Sequence, residues 1–226
     1  MVITETHLDS SISDQQLEIE SYKLFRRDRE RRQGGGCLVY IMNSICSIRL
    51  RSLETPEIEQ IWLKITTNSN VFILGTIYRP PSYSAFFEHF DMVLDKVWVK
   101  YKNRVIVGDF HCDLTSTASG TITSPLGNKL HSSLAQRNFV VVNNQATRVT
   151  TRLSTLIDLV VTNDDSLIKH IKTLDLGISD HMLVYAAVRT KIRRLHQKSS
   201  TLEISNTSTL QIFARDIESA PGRYVR

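Results

Sequence analysis

Hydrophobic residues recur along this chain in short runs rich in β-branched side chains, separated by polar turns. Seven runs predict strands: 38–41, 61–65, 71–78, 104–107, 139–142, 156–161 and 182–188. Several are apolar at every position, as expected of strands covered on both faces. Gly34, Gly35 and Gly36 supply a turn leading into the first run. Two stretches carry a helical period instead. Phe86, Phe90, Val93, Leu94, Val97 and Tyr101 fall on one face of a helix, and Leu126, Leu130 and Leu134 repeat at four-residue spacing. The second helix should start at Ser124-Pro125, an N-cap followed by a proline in the first turn, and end near Arg137. Many strands with few helices between them predict an α/β sandwich of two sheets, since each element must bury its apolar face against another.

The pattern changes near the C-terminus. Residues 199–226 are rich in Ser and Thr and keep no sustained period, which predicts a tail or linker. The expected organisation is one domain over residues 1–190, followed by a basic, Ser/Thr-rich segment over 191–226. At 226 residues, with 41% hydrophobic and 23% charged side chains, the composition suits a globular domain and excludes a collagen-like or largely disordered chain. The three cysteines, Cys37, Cys46 and Cys112, show no CxxC spacing, so neither a disulfide framework nor a zinc knuckle is expected. The longest strongly apolar run, 71–78, is far short of the roughly 20 residues a bilayer span needs, and no basic leader precedes an apolar run at the N-terminus. No membrane association or secretion is therefore expected.

The net charge of +5 is local. Arg189, Lys191, Arg193, Arg194 and Lys198 lie within ten residues that hold no acid, and the remaining chain is balanced. A second cluster, 23–32, sets six basic residues against Asp28 and Glu30. Such clusters suit a phosphate backbone, although a solvated surface has the same composition. No glycine-rich loop of the GxGxxG or GxxxxGK type is present, which argues against a nucleotide-driven kinase or ATPase.

Candidate chemistry sits where polar residues end apolar runs. Glu5 follows a short apolar start, and Asp109, His111 and Asp113 follow the run at 104–107. Asp158 interrupts an apolar run, where a carboxylate is costly to bury unless it is paired or bound to a cation. Asp180 and His181 immediately precede the last strand. Each alone has an ordinary structural reading as a turn or surface residue. Together they offer several carboxylates and an imidazole at strand ends, which suits metal-assisted hydrolysis. Oxygen ligands favour a hard cation such as Mg²⁺ over Zn²⁺.

The order of Ile3-Thr-Glu5-Thr, Gly34-Gly-Gly36, Ile77-Tyr78-Arg79-Pro80-Pro81, Gly108-Asp109-Phe110, Ser154-Thr155-Leu-Ile157-Asp158 and Ser179-Asp180-His181 resembles the endonuclease/exonuclease/phosphatase superfamily. Within it, the chain is similar to the apurinic-type endonuclease domain of non-LTR (LINE-like) retrotransposons, over about residues 1–190. The resemblance implies a four-layer α/β sandwich of two mixed sheets flanked by helices. It implies a DNA endonuclease that uses Mg²⁺, with Mn²⁺ as the alternative ion, leaves a 3′-hydroxyl for target-primed reverse transcription, and works in the nucleus. By the same resemblance Glu5 and Asp180 are metal carboxylates, Tyr78 contacts the scissile phosphate, and Asp109 activates the attacking water. His181 holds the phosphate with Asp158 as its carboxylate partner. Arg79 and Thr155 are expected at the nucleic acid, and the uncompensated charges of Arg189, Lys191, Arg193 and Arg194 are expected to bind DNA without sequence specificity.

Two departures from the family pattern stand out. The fourth residue of Gly-Asp-Phe-Asn is His111 here, so an imidazole replaces a catalytic amide. Members of the family also begin with a strand carrying a site asparagine, whereas this sequence starts four residues before Glu5, so that strand is expected to be lacking. Alternative readings are a catalytically decayed relative that only binds DNA and, with less support, a phosphatase of the same superfamily.

Overall fold

The computed structural model describes residues 1–29 and 34–190. Its strands are β1 (Val2–Thr4), β2 (Tyr22–Arg27), β3 (Cys37–Met42), β4 (Cys46–Arg49), β5 (Glu59–Thr66), β6 (Val71–Tyr78), β7 (Arg104–Asp109), β8 (Val140–Val141), β9 (Arg148–Val149), β10 (Ser154–Thr155), β11 (Asp158–Thr162), β12 (Ile168–Leu174) and β13 (Leu183–Val188). Two helices, α1 (Phe86–Lys100) and α2 (Pro125–Ala135), complete the frame.

The larger sheet runs β4-β5-β6-β7-β11-β8. Only β6 and β7 pair in parallel, and α1 is the crossover that such a pair requires. Along its strands the side chains alternate between two cores. Trp62, Ile73, Ile77, Ile106, Leu159 and Val161 face α1 and α2, where Phe86, Phe90, Leu130 and Leu134 are fully or almost fully buried. Ile61, Leu63, Ile65, Phe72, Val105 and Val160 face the opposite way, onto Cys37 and Val39 of β3 and Val184 and Ala186 of β13. Runs that are apolar at every position are thus explained by burial on both faces.

The second sheet layer is in two pieces, β1-β3-β2 and β12-β13, while β9 and β10 form a small separate ladder. Among the described residues, β1 pairs only with β3 and β13 only with β12, so each keeps one open edge. The outer face of β2 and β3 carries Leu24, Arg26, Leu38 and Tyr40, paired across the ladder. Residues 9–17 cover this face as a thin fourth layer: Tyr40 donates to the Leu17 carbonyl (2.6 Å), and Arg26 donates to the carbonyls of Ile12 (2.7 Å) and Asp9 (2.9 Å).

Both predicted helices form, and Ser124 caps α2 by accepting from the Gly127 amide at 3.1 Å. Two predicted strands are shorter than expected. The run at 139–142 forms a strand only over Val140–Val141, with the Val142 amide still bonded to the Val160 carbonyl, because the Phe139 amide closes the end of α2 on the Leu134 carbonyl. The run at 156–161 enters the sheet only at Asp158, because the amides of Leu156 and Ile157 bond to Asp113 Oδ1 and Thr147 Oγ1.

Candidate active site

Register alone builds half of the site. Tyr78 is opposite Asp109 across the parallel β6–β7 pair, Asp109 is opposite Asp158 across β7–β11, and Glu59 is opposite Tyr78 across β5–β6. Directly opposed residues share a face. Glu59, Tyr78, Asp109 and Asp158 therefore form one row along the end of four adjacent strands, on the face covered by the second layer. Gly108 lets β6 and β7 approach there: a Cβ on it would lie 1.8 Å from the Ile77 carbonyl oxygen, and its φ is +153°.

The second layer closes over this row. Glu5, just past β1, accepts a short hydrogen bond from the Tyr78 hydroxyl. His181, just before β13, places Nδ1 3.0 Å from Asp158 Oδ2. Two donor clusters result, Glu5–Asp109–His111 and Asp109–Asp158–His181, each with its potential ligand atoms within 4.8 Å of one another. Asp109 belongs to both and is 1% exposed. Burial raises its carboxyl pKa above the usual aspartate value, His111 offsets part of that, and the Asp158 charge adds to it. His181 is shifted upward chiefly by its bond to Asp158, against partial desolvation, so the imidazolium is favoured. Burial, followed by the bond to Glu5, raises the Tyr78 phenol and keeps it protonated as a donor.

Local backbone conformations set several of these groups. Glu5 (φ +53°) and His111 (φ +45°) are both left-handed non-glycine residues, a costly conformation. The His111 amide bonds back to Asp109 Oδ1 at 2.9 Å, fixing the carboxylate. The Glu5 loop is tied down through His7, whose amide donates to the Gly35 carbonyl at 2.8 Å. Gly35 and Gly36 pack against Glu59, which accepts from the Gly36 amide and, at 2.6 Å, from Arg29 Nε. The Arg29 guanidinium in turn lies over the Tyr78 ring, 5.6 Å from its centroid.

The remaining expected site residues are placed differently. Asp180 is outside both clusters; it is exposed and pairs with Arg148 Nε at 2.7 Å, which lowers its pKa. Two residues expected at a nucleic-acid surface lie inside instead. Arg79 is 2% exposed, with its guanidinium over the rings of Phe86 and Phe87 and directed at the carbonyls of Phe110 and His111, so it braces the loop after β7. Thr155 is 8% exposed, and its carbonyl accepts from the Thr147 amide. Arg189 is exposed but follows the far end of β13, on a strand that carries it about 26 Å from His181 at roughly 3.3 Å per residue. Its carbonyl accepts from Asn70 Nδ2 beside the start of β6, the end opposite Tyr78. Lys191, Arg193 and Arg194 lie outside the described residues.

Three contributors have no part in the sequence-based expectation. Glu59 is the first. The second is Thr147, fully buried, whose hydroxyl accepts from the amides of Ile157 and Asp158 and so positions Asp158. The third is Arg148, bridged to His181 in the backbone and held above its ordinary pKa first by Asp180 and, more weakly, by Asp109 and Glu5. A charge on the apolar face of an alternating strand was the available signal for Glu59; a lone arginine in a polar segment gives none for Arg148.

Comparison with known proteins agrees with this architecture. The endonuclease-reverse transcriptase family matches residues 72–185, half of the chain. A search of curated proteins by sequence found no match. Among solved structures, the chain is similar to the endonuclease domain of TRAS1, a telomere-specific non-LTR retrotransposon, at 16% identity and TM-score 0.60, covering 76% of this chain and 81% of that one. It is also similar to the APE2 catalytic domain of Xenopus laevis (14% identity, TM-score 0.65, 87% and 85% covered). A third likeness is to the 3′-5′ exonuclease NExo of Neisseria meningitidis (12%, 0.61, 83% and 88%). At these identities the structures speak for the fold, and the matched segment contains Tyr78, Asp109, Asp158 and His181. The chain belongs to the endonuclease-reverse transcriptase family, within the endonuclease/exonuclease/phosphatase superfamily.

Proposed function

We propose that residues 1–190 form a divalent-metal-dependent endonuclease that nicks DNA, of the retrotransposon type, with 191–226 as an appended basic segment and the nucleus as its place of work. The observation that carries this reading is the in-register row Tyr78–Asp109–Asp158 with His181 on Asp158, because it gathers a base, a cationic donor and a neutral donor at one sheet end. The residues also fit a cation: Glu5 and Asp109 lie in one cluster of potential ligands and Asp109 and Asp158 in the other, and carboxylate oxygens of this kind suit Mg²⁺. Glu5, together with a substrate phosphate, would hold the ion, which would supply positive charge to a phosphoryl oxygen and ease departure of the leaving oxygen.

The chain's own groups account for the rest. Asp109, with its raised pKa, takes the proton from the attacking water. His181, charged through Asp158, donates to a phosphoryl oxygen as negative charge grows there. Tyr78 orients Glu5 through its hydroxyl. Arg148, paired with Asp180 and within the fields of Asp109 and Glu5, has a partly exposed side chain and would meet the phosphate backbone.

Supercoiled plasmid tests the proposal. The full chain should convert it to the nicked form in Mg²⁺ or Mn²⁺, and EDTA should abolish conversion. Asp109→Asn should slow it by about 10²–10⁴-fold, the usual contribution of a positioned base. A folded chain that binds DNA but nicks in neither metal would overturn the endonuclease reading in favour of a decayed relative.

A further inference from the structure

His111 stands where the family pattern has asparagine, and the structure gives it surroundings that an amide would not use in the same way. Its ring lies edge-on to Tyr78, with centroids 5.7 Å apart. Nδ1 sits 3.0 Å from Asp109 Oδ1. That nitrogen is shielded from water yet makes no aligned hydrogen bond. Two ligand atoms placed side by side, rather than donor to acceptor, are the arrangement adopted by neighbours on one cation. Glu5 completes the group: a carboxylate oxygen of Glu5, one of Asp109 and a ring nitrogen of His111 lie within 4.8 Å of one another.

We propose that Glu5, Asp109 and His111 form a mixed nitrogen–oxygen site that prefers a borderline transition ion, Zn²⁺ above all, to Mg²⁺. Ligands at about 2.0–2.2 Å from a zinc ion lie roughly 3–4 Å apart, so the observed span closes with a small movement. Asp109 is locked in the sheet, while Glu5 is exposed, and a rotation of its side chain about the hydrogen bond from Tyr78 supplies that movement. The selectivity comes from the imidazole. Neutral nitrogen is a good ligand for Zn²⁺ and a poor one for Mg²⁺, which prefers oxygen and retains its waters. An ion held there also occupies Asp109, the base of the proposed reaction, so Zn²⁺ should compete with Mg²⁺-dependent turnover.

This inference rests on the proposed metal site but is read out independently of catalysis. Metal-free full-length chain, His111→Asn and Glu5→Gln are titrated calorimetrically with Zn²⁺ and with Mg²⁺, and Co²⁺ serves as an optical probe of nitrogen ligation. His111→Asn should fold, because asparagine tolerates the left-handed conformation better than most residues. Loss of even a supporting partner weakens metal sites by about 10–100-fold, so Zn²⁺ affinity should fall at least that far in both variants. Mg²⁺ affinity should be nearly unchanged in His111→Asn, and the Co²⁺ absorption bands should change. Equal Zn²⁺ affinity in the chain and His111→Asn, or full retention in Glu5→Gln, overturns the site. Mg²⁺-dependent nicking separates the two ideas. Nicking without Zn²⁺ discrimination refutes only this inference, and Zn²⁺ discrimination without nicking refutes only the endonuclease reading.

Discussion

Glu59 touches no expected substrate atom, yet the structure makes it a support of the site. Its carboxylate accepts from Arg29 Nε and the Gly36 amide, and it heads the row that continues through Tyr78. Both side chains of the ion pair are mostly buried, Arg29 18% and Glu59 13% exposed. Removing one partner of a buried pair costs about 3–5 kcal/mol where the other charge is left without compensation. Residual exposure and the Tyr78 ring beside the Arg29 guanidinium place Glu59→Ala at the lower end, about 3 kcal/mol. For a domain of this size each kcal/mol moves Tm by roughly 2–4 °C, so a fall of about 6–12 °C is expected. A stability of about 5–15 kcal/mol leaves the variant folded at room temperature. The second consequence is local. With Gly36 unpinned, the Gly35 carbonyl no longer fixes the His7 amide, and Glu5 loses its anchor. Mg²⁺ affinity should therefore drop in folded Glu59→Ala, whereas Glu59→Gln, which keeps an acceptor, should lose less of both quantities. Thermal unfolding by circular dichroism and Mg²⁺ titration measure the two effects. A Tm within about 2 °C of the parent, or lost stability with intact Mg²⁺ affinity, would refute the coupling of this pair to Glu5.

Two further outcomes follow from the electrostatics. His181 acts as its charged form, and Asp158 raises its pKa above the ordinary 6.5, so nicking should persist above that pH and fall as pH rises through the raised value. Asp158→Asn should move this alkaline limb to lower pH, and an unmoved limb would detach His181 from the rate. The same sign governs stability: the His181–Asp158 pair contributes fully below the unfolded histidine pKa and is lost as pH rises through the folded one. Arg148→Met removes an exposed cation beside the acids, so KM for DNA should rise and the salt dependence of binding should become shallower by about one phosphate contact. An unchanged salt slope would show that Arg148 serves only to hold Asp180.

The fold was most legible where burial on both faces forced a run to be apolar throughout, as in β3, or where one face of a helix carried a sustained apolar stripe, as in α1. Strands at the edges of the second layer were not legible. In β2 the outward positions hold Arg26 beneath residues 9–17, and Lys23 and Arg27 on the other face add to a charge cluster that hides the alternation. In β12 a bulge between Ile168 and His170 shifts the register, so no single two-residue period runs through the segment. The N-cap of α2 could be read directly because a serine hydroxyl and a proline each act within one turn.

The candidate site divides along the same line. Asp109 and Asp158 announced themselves because a carboxylate at the end of an apolar strand needs a compensating partner; the register sets the two opposite one another, and the imidazoles of His111 and His181 beside them supply the compensation. Arg79 was misplaced for a related reason. A positive charge before two prolines suggests a surface, but the loops after β6 and β7 present main-chain carbonyls, those of Pro81 and Tyr83 and of Phe110 and His111, and an arginine is the side chain that can reach several of them at once. Its burial over Phe86 and Phe87 then carries the consequence into chemistry: the cation that might have met a phosphate instead holds the backbone of Phe110 and His111, and so helps fix the imidazole beside Asp109. Charge in a sequence marks where an interaction is needed, and the fold decides whether the partner is solvent, a ligand or the protein's own main chain.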